Sequence, residues 1–432
     1  MADPLRSDTS SELNSTQALL EHLFRHQSGR ILAHLTRLLG PAHLELAEEA
    51  VQEAMLRAMQ TWPDRGAPEN APAWLFRVAH NAAIDAVRRD RIGGRKSAEL
   101  VSALVQSAEI KPGDPNVEEQ LRDDELRLVF MCCHTGISRD ARVVLSLKIA
   151  GGFNVREIAR AFLVADEAIA QRLVRARRQI RDQQLTLEMP HDAELRERVD
   201  SAIEVIYLMF NEGYGAHEGE ELIRTDLCFE ALRLGHLIAT SSIAVPRVDA
   251  LMALMALQAA RLPARTDEAG DLILLEDQDR SQWDRQLIAV GFHHFERSIA
   301  GSEVSEYHVQ AAIAAMHARA PNRDAVDWPV ILDLYDQLFA MNASPVVALN
   351  RAVALARVRG AAEALGSIEA LKLPGYYLLL AVRGHLFLDL GRYGEAVACF
   401  NEALNCRCSE PERRFLRRKI DAALYAADFV KV

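Results

Sequence analysis

Apolar residues recur at three- and four-residue spacing along almost the whole of this chain, and runs alternating with period two are scarce. That spacing gathers the apolar side chains on one face of an α-helix, so each segment is stable only when its stripe is covered by another helix. The constraint excludes sandwiches, barrels and doubly wound sheets and predicts an all-α protein. Half of the 432 residues are apolar, enough for roughly two or three helical bodies, each with a core of its own. No apolar run reaches the ~18 residues that a bilayer span needs. Met1–Asn14 is polar and lacks the basic-then-apolar pattern of a secretory signal. A cytoplasmic protein with no membrane partner is expected, and six cysteines in a chain of this length fit a reducing compartment better than a disulfide framework.

Proline and glycine divide the chain into four stretches. Residues 12–96 contain helical patterns over Leu13–Leu39, Glu45–Trp62 (stopping at Pro63) and Ala73–Arg91, with the Pro-rich loop Asp64–Pro72 between the last two. Residues 97–120 form an expected flexible linker around Lys111-Pro112-Gly113-Asp114-Pro115, and residues 121–187 resume as helices up to Met189-Pro190. Residues 190–432 are helical again, apart from a predicted small hairpin within Ala264–Glu276. Near the end, Gly384, Gly391, Tyr393, Ala396, Phe400 and Ala403 fall at the spacings of a tetratricopeptide (TPR) unit. A weaker copy, with Ala352, Gly360 and Ala364, lies about 32 residues upstream. Charge follows the same division: of a net −11, residues 1–190 carry −1 and the remainder −10.

Two constellations carry chemistry. In Gly152–Arg181, the residues Ile158, Ala159 and Phe162 mark the apolar face of one helix, and Ile169, Leu173, Ala176 and Ile180 that of the next. This is helix-turn-helix spacing, in which the second helix enters the major groove of DNA. Its outward residues are expected to be Glu167, Ala168, Gln171, Arg172, Arg175, Arg177 and Arg178. Residues 172–181 hold five arginines and no acid, as a phosphate-facing surface requires. The second constellation runs from Leu46 to Met59, through Trp62-Pro63 and the loop, into Ala73–Asn81 and Arg95-Lys96. Residues 76–96 hold six basic and two acidic side chains. Trp62 and Trp74 are expected in the core, which leaves the loop Asp64–Pro72 to hold an unpaired base.

The run AEEAVQEAMLRAM…WP…PAWLFRVAHNAAIDAVRR resembles region 2 of bacterial sigma-70-family initiation factors of the extracytoplasmic-function (ECF) type, and REIARAFLVADEAIAQRLVRARRQIR resembles their region 4. Order and spacing agree, and DDELRLVFMCCH at 123–134 with the TPR-like extension resembles one ECF subgroup. The resemblance implies that the helix bearing Glu48, Glu49, Gln52 and Glu53 docks on core RNA polymerase. It implies that the loop and the following helix, with Asn81, Arg88 and Arg89, recognise the −10 promoter element. Glu167, Gln171, Arg172, Arg175 and Arg178 would face the −35 element. The sequence departs from the family turn at Leu163 and Ala165, so that Asp166 is expected to cap the recognition helix.

Other signals have plain structural readings. Cys132-Cys133-His134 and Cys406-x-Cys408 lack the four converging ligands of a structural metal site, so no metal is expected. Glu276–Asp279 and Asp284 are expected to serve helix starts. His293-His294 has no partner pattern, and the FNEGYGAHEGEEL stretch at 210–222 suggests no mechanism. Phosphate loops, nucleophile elbows and paired catalytic motifs are not found, so neither an enzyme nor a cofactor is expected. The reading is a sigma factor that binds core RNA polymerase and promoter DNA. Its acidic extension enables or restrains activity and offers a surface for a regulatory protein or ligand. A helix-turn-helix regulator acting without polymerase is the alternative.

Overall fold

The computed structural model describes residues 27–89, 100–105, 115–162, 164–215 and 223–430. Expectations for the first turns of the opening helix, Arg95-Lys96, most of the linker, Leu163 and the end of the 210–222 stretch lie outside these residues. Among the described residues every regular element is helical, apart from isolated bridges at Thr266–Leu272 and Tyr376–Arg407. None of those helices is long and apolar enough to cross a membrane. The chain forms two compact units, Met1–Val205 and Ile206–Val432.

Unit 1 begins with helix α1 (27–39) and continues through α2 (Leu44–Arg65) and α3 (Ala71–Arg89). Pro63 does not stop α2, as expected from sequence. In the last turn it removes only one N–H from the ladder, and the helix ends at Gly66, whose φ of 76° a side chain would resist. Asn70 starts α3 two residues early by accepting the Ala73 N–H at 3.0 Å, so the loop shrinks to 66–70. The expected flexible linker contains a short helix, α4 (100–105), held down because Leu104 is buried and its carbonyl bonds His80 Nε2.

Helices α5 (Pro115–Cys132) and α6 (Arg139–Ile149) supply the rest of this core. Leu128, Phe130, Met131, Cys132 and Cys133 are fully enclosed. Asp124, buried on α5, accepts from Arg37 Nε at 2.9 Å and lies 3.1 Å from His34 Nδ1, tying α5 to α1. Two helices, α7 (Val155–Phe162) and α8 (Asp166–Asp182), follow. The first part of α9 (Asp192–Tyr214) belongs here as well, beyond the boundary near residue 190 read from sequence. Arg198 donates to the Phe130 carbonyl at 2.9 Å, Ser201 to that of Cys133 at 2.5 Å, and Arg142 to Ser201 at 2.6 Å.

In unit 2 each helix packs mainly on the next one or two along the chain, the pattern of a stacked array. Its helices are α10 (Thr225–Ala239), α11 (Pro246–Ala259), α12 (Arg285–Ser298), α13 (Glu306–Arg319), α14 (Trp328–Met341), α15 (Pro345–Arg359), α16 (Ala361–Ile368), α17 (Tyr377–Asp389), α18 (Tyr393–Leu404) and α19 (Glu410–Val430). Nearly all of α11 is buried, which suits a helix apolar on every face. The predicted hairpin is a tight turn, with Asp267 accepting the Ala269 and Asp271 N–H groups. Asp279 and Asp284 accept N–H groups at helix starts, as expected.

Several of the residues singled out at TPR spacing are buried or closely packed. Ala396, Phe400 and Ala403 on α18 are buried, and Gly391 turns the chain at φ 70°. A Cβ on Gly384 would meet Phe400 Cε1 at 2.5 Å. In the weaker copy Ala352 and Ala364 are buried about Gly360, φ 95°. Gly384→Val should therefore cost about 1–3 kcal/mol by overpacking. Gly366→Ala, where a Cβ meets open space, should be neutral or stabilising by up to about 1 kcal/mol. Chemical denaturation of both variants checks the contrast, and equal effects would refute it.

Candidate nucleic-acid interface

Helix α8 buries Ile169, Leu173, Ala176 and Ile180, one residue per turn, against the body that α6 and α7 provide. Ala165, extended at φ −66° and ψ 147°, precedes it without a side-chain cap. Asp166 is therefore not the cap expected from sequence but the first helical residue. With Glu167 it places negative charge at the positive end of the helix.

Burying that apolar stripe sorts the arginines. Glu167, Gln171, Arg175 and Arg178 are exposed along one face, and Arg172 is half-buried on its flank. Arg178 reaches Asp182 at 3.2 Å. Among the described residues neither Arg172 nor Arg175 is in an ion pair. Arg177 is not outward, as expected from sequence. It lies on the other flank beside the apolar stripe and donates to Glu48 Oε2 on α2 at 2.6 Å. Arg181 follows it, 3.8 Å from Glu45.

The acids of α2 divide in the same way. Glu49 and Gln52 are exposed and Glu53 is half-buried, bonded to Arg57 at 2.8 Å. Glu48 is 8% exposed. Burial raises its carboxyl above the ordinary carboxylate value, against the pull of Arg177 and Lys148. Removing one member of such a buried pair leaves the other charge unpaired, at a cost of about 3–5 kcal/mol.

On α3, Asn81 and Arg88 are exposed, and Arg89 beside them bonds the Asp85 carbonyl at 3.3 Å. Arg77, which the sequence reading does not single out, is exposed one turn before Asn81. Its four-residue spacing from Asn81 was the available signal. Glu49, Glu53, Arg57, Asp85, Arg88 and Arg89 line one shallow groove of about 610 Å³ between α2 and α3. Trp62 is buried and meets half-buried Trp74 edge-on at 5.4 Å, so the two rings pack together across the ends of the largely exposed loop 66–70.

The remaining candidates have structural roles. Cys132 and Cys133 are enclosed, and burial pushes the Cys133 thiol up to about 11. Among the described residues there is no group of three or more His, Cys, Asp or Glu able to hold a metal ion. His294, in unit 2, is buried with its Nδ1 at 2.6 Å from Asp249, which also meets Arg297 at 3.2 Å. No sequence spacing announces that cluster.

Residues 23–92 match sigma-70 region 2, and residues 198–299 match a family of unknown function, DUF6596. Over 88% of this chain and 90% of its own length, an uncharacterized protein of Rhizobium meliloti (R00370) is 40% identical. The ECF RNA polymerase sigma factor SigK of Mycobacterium ulcerans is 28% identical over 37% of this chain and 82% of its own length. SigG of Mycobacterium tuberculosis, also an ECF RNA polymerase sigma factor, is 31% identical over 35% of this chain and 44% of its own length. No solved structure matches the chain. The region 2 match falls on the stretch that builds α2 and α3, and the near-full-length relative extends the kinship through unit 2. The chain thus belongs to the sigma-70 family, as a sigma factor of the ECF type with a helical carboxy-terminal extension.

Proposed function

We propose that this sigma factor binds core RNA polymerase and directs it to selected promoters. The exposed face of α8 supports the reading most strongly. Gln171, Arg172 and Arg175 stand on one rigid helix, and no carboxylate among the described residues neutralises the two arginines. Such a face gains affinity from phosphates and selectivity from base edges in a major groove. In this reading α8 meets the −35 element. The loop 66–70 and α3, with Arg77, Asn81, Arg88 and Arg89, hold the melted −10 strand. Glu49, Gln52 and Glu53 offer the polymerase an acidic surface, and unit 2 adjusts the activity of the whole.

The Glu48–Arg177 contact sets a condition on this mechanism. Helices α2 and α8 touch, whereas the two promoter elements are separated by about two turns of duplex, roughly 70 Å. Engaging both elements requires α8 to leave α2. With α4 and the first turns of α5 unwound, 21 extended residues of the 97–120 stretch would span about 70 Å, sufficient for that separation.

Core polymerase pull-down with the full-length chain, followed by run-off transcription, tests the proposal. Association and a defined transcript are expected, and a folded chain that fails to associate refutes it. Arg172→Ala and Arg175→Ala should each weaken promoter binding and flatten its salt dependence by about one unit per lost phosphate contact. An unchanged slope removes that residue from the interface. A double-mutant cycle on Glu48→Gln and Arg177→Gln, read by urea unfolding, should give a coupling of about 1–3 kcal/mol. Additive effects would show that the two side chains do not hold the helices together.

A further inference from the structure

Unit 2 contains a half-open cavity that the proposed promoter recognition does not use. It has a volume of about 560 Å³ and lies among the end of the hairpin segment, α13, α14 and α15. That is the size of a small-molecule site. Leu274, Leu275, Val326, Val353 and the ring of Trp328 give it apolar walls. The edge-to-face contact of Trp328 with His317, at 5.5 Å between centroids, holds that ring in place.

The polar groups of the cavity are unequal. Glu276 is paired with Arg357, and Asp324 lies 3.5 Å from Arg323, so these charges are already answered. Arg280 has no carboxylate partner among the described residues. Its Nη1 donates to the main-chain carbonyls of His317 and Ala320, and its guanidinium lies over Trp283, 4.5 Å from the ring centre. These contacts fix the group without neutralising it. Burial, followed by Arg261 and Arg280, pushes His317 down to about 4, so its ring is neutral near pH 7 and supplies no second positive charge. Burial likewise pushes the Tyr335 hydroxyl up to about 12, keeping it a donor. That hydroxyl has no hydrogen-bond partner among the described residues. A fixed, uncompensated cation, a spare O–H donor and a flat apolar wall are the complement of an aromatic ring bearing one negative charge.

We propose that this cavity binds a small aromatic organic anion, a carboxylate or sulfonate, with its charged group on Arg280 and Tyr335 and its ring against Trp328 and Val326. The full-length chain is titrated with 8-anilinonaphthalene-1-sulfonate, followed by fluorescence. Saturable one-site binding is expected, displaced by benzoate. The uncharged N-phenyl-1-naphthylamine should bind about tenfold more weakly or worse. Arg280→Gln and Tyr335→Phe should each lower affinity about tenfold, the usual loss for a hydrogen bond to a charged group. Arg323→Gln should change it less than about twofold, because that charge is already paired. Arg280 also binds the last carbonyls of α13, so Tyr335→Phe, which keeps the ring and its packing, decides the matter where Arg280→Gln does not fold. Non-saturable binding, equal binding of the uncharged probe, or unchanged affinity in Tyr335→Phe overturns the proposal. Polymerase takes no part in the measurement, so its outcome is independent of the promoter-binding reading.

Discussion

The carboxylate of Glu48 lies buried against the guanidinium of Arg177, and that contact ties α2 to α8 within unit 1. A lone buried carboxylate would be driven to take up a proton. Its charge is tolerable here because α8 delivers a cation to it from a helix distant in sequence. Glu45 and Arg181 add a looser, more exposed pairing beside it. Asp124 does comparable work between α5 and α1 through His34 and Arg37. Polar contacts of this kind specify which helix meets which, where apolar faces alone would accept several partners.

In the proposed promoter-binding reading, the pairing gives one helix two incompatible surroundings. The face of α8 that carries Arg175 and Arg178 is open, while its flank is committed to α2. Whatever draws α8 away must compensate the Glu48 charge or expose it to water. Moderate strength suits such a contact: solvation on opening recovers part of what the separated charges lose. The exposed loop 66–70 and the α3 stripe are not committed in this way, so the two predicted DNA-facing surfaces differ in availability.

Unit 2 follows a different logic. Its helices satisfy their apolar faces from near neighbours, and the array needs few specific charges to set its order. Charge pairs still join segments far apart in sequence: Asp271 in the hairpin turn meets Arg414 and Arg418 of α19, and Glu276 meets Arg357 of α15. Beyond its packed interior the array leaves the cavity at Arg280. Of the arginines that line it, Arg323 and Arg357 meet carboxylates and Arg280 does not.

Helical class, the α7–α8 pair and the small residues that let α17 and α18 approach were all legible in the sequence. Each rests on local spacing: Ile169, Leu173, Ala176 and Ile180 must face one way on any α-helix. Helix ends were less legible, because Gly66 and Asn70 overrule Pro63 through backbone geometry and a single capping bond. The candidate interface was readable as residue types but not as a surface. Five arginines stand within ten residues, yet only the docking of α8 decides that Arg175 meets solvent and Arg177 meets Glu48. The same holds for His294 with Asp249, for the early part of α9 and for the cavity at Arg280. Periodicity fixes which face of a helix is apolar. Which charged residue comes to lie opposite it depends on contacts between segments far apart in the chain, and only the folded structure contains those.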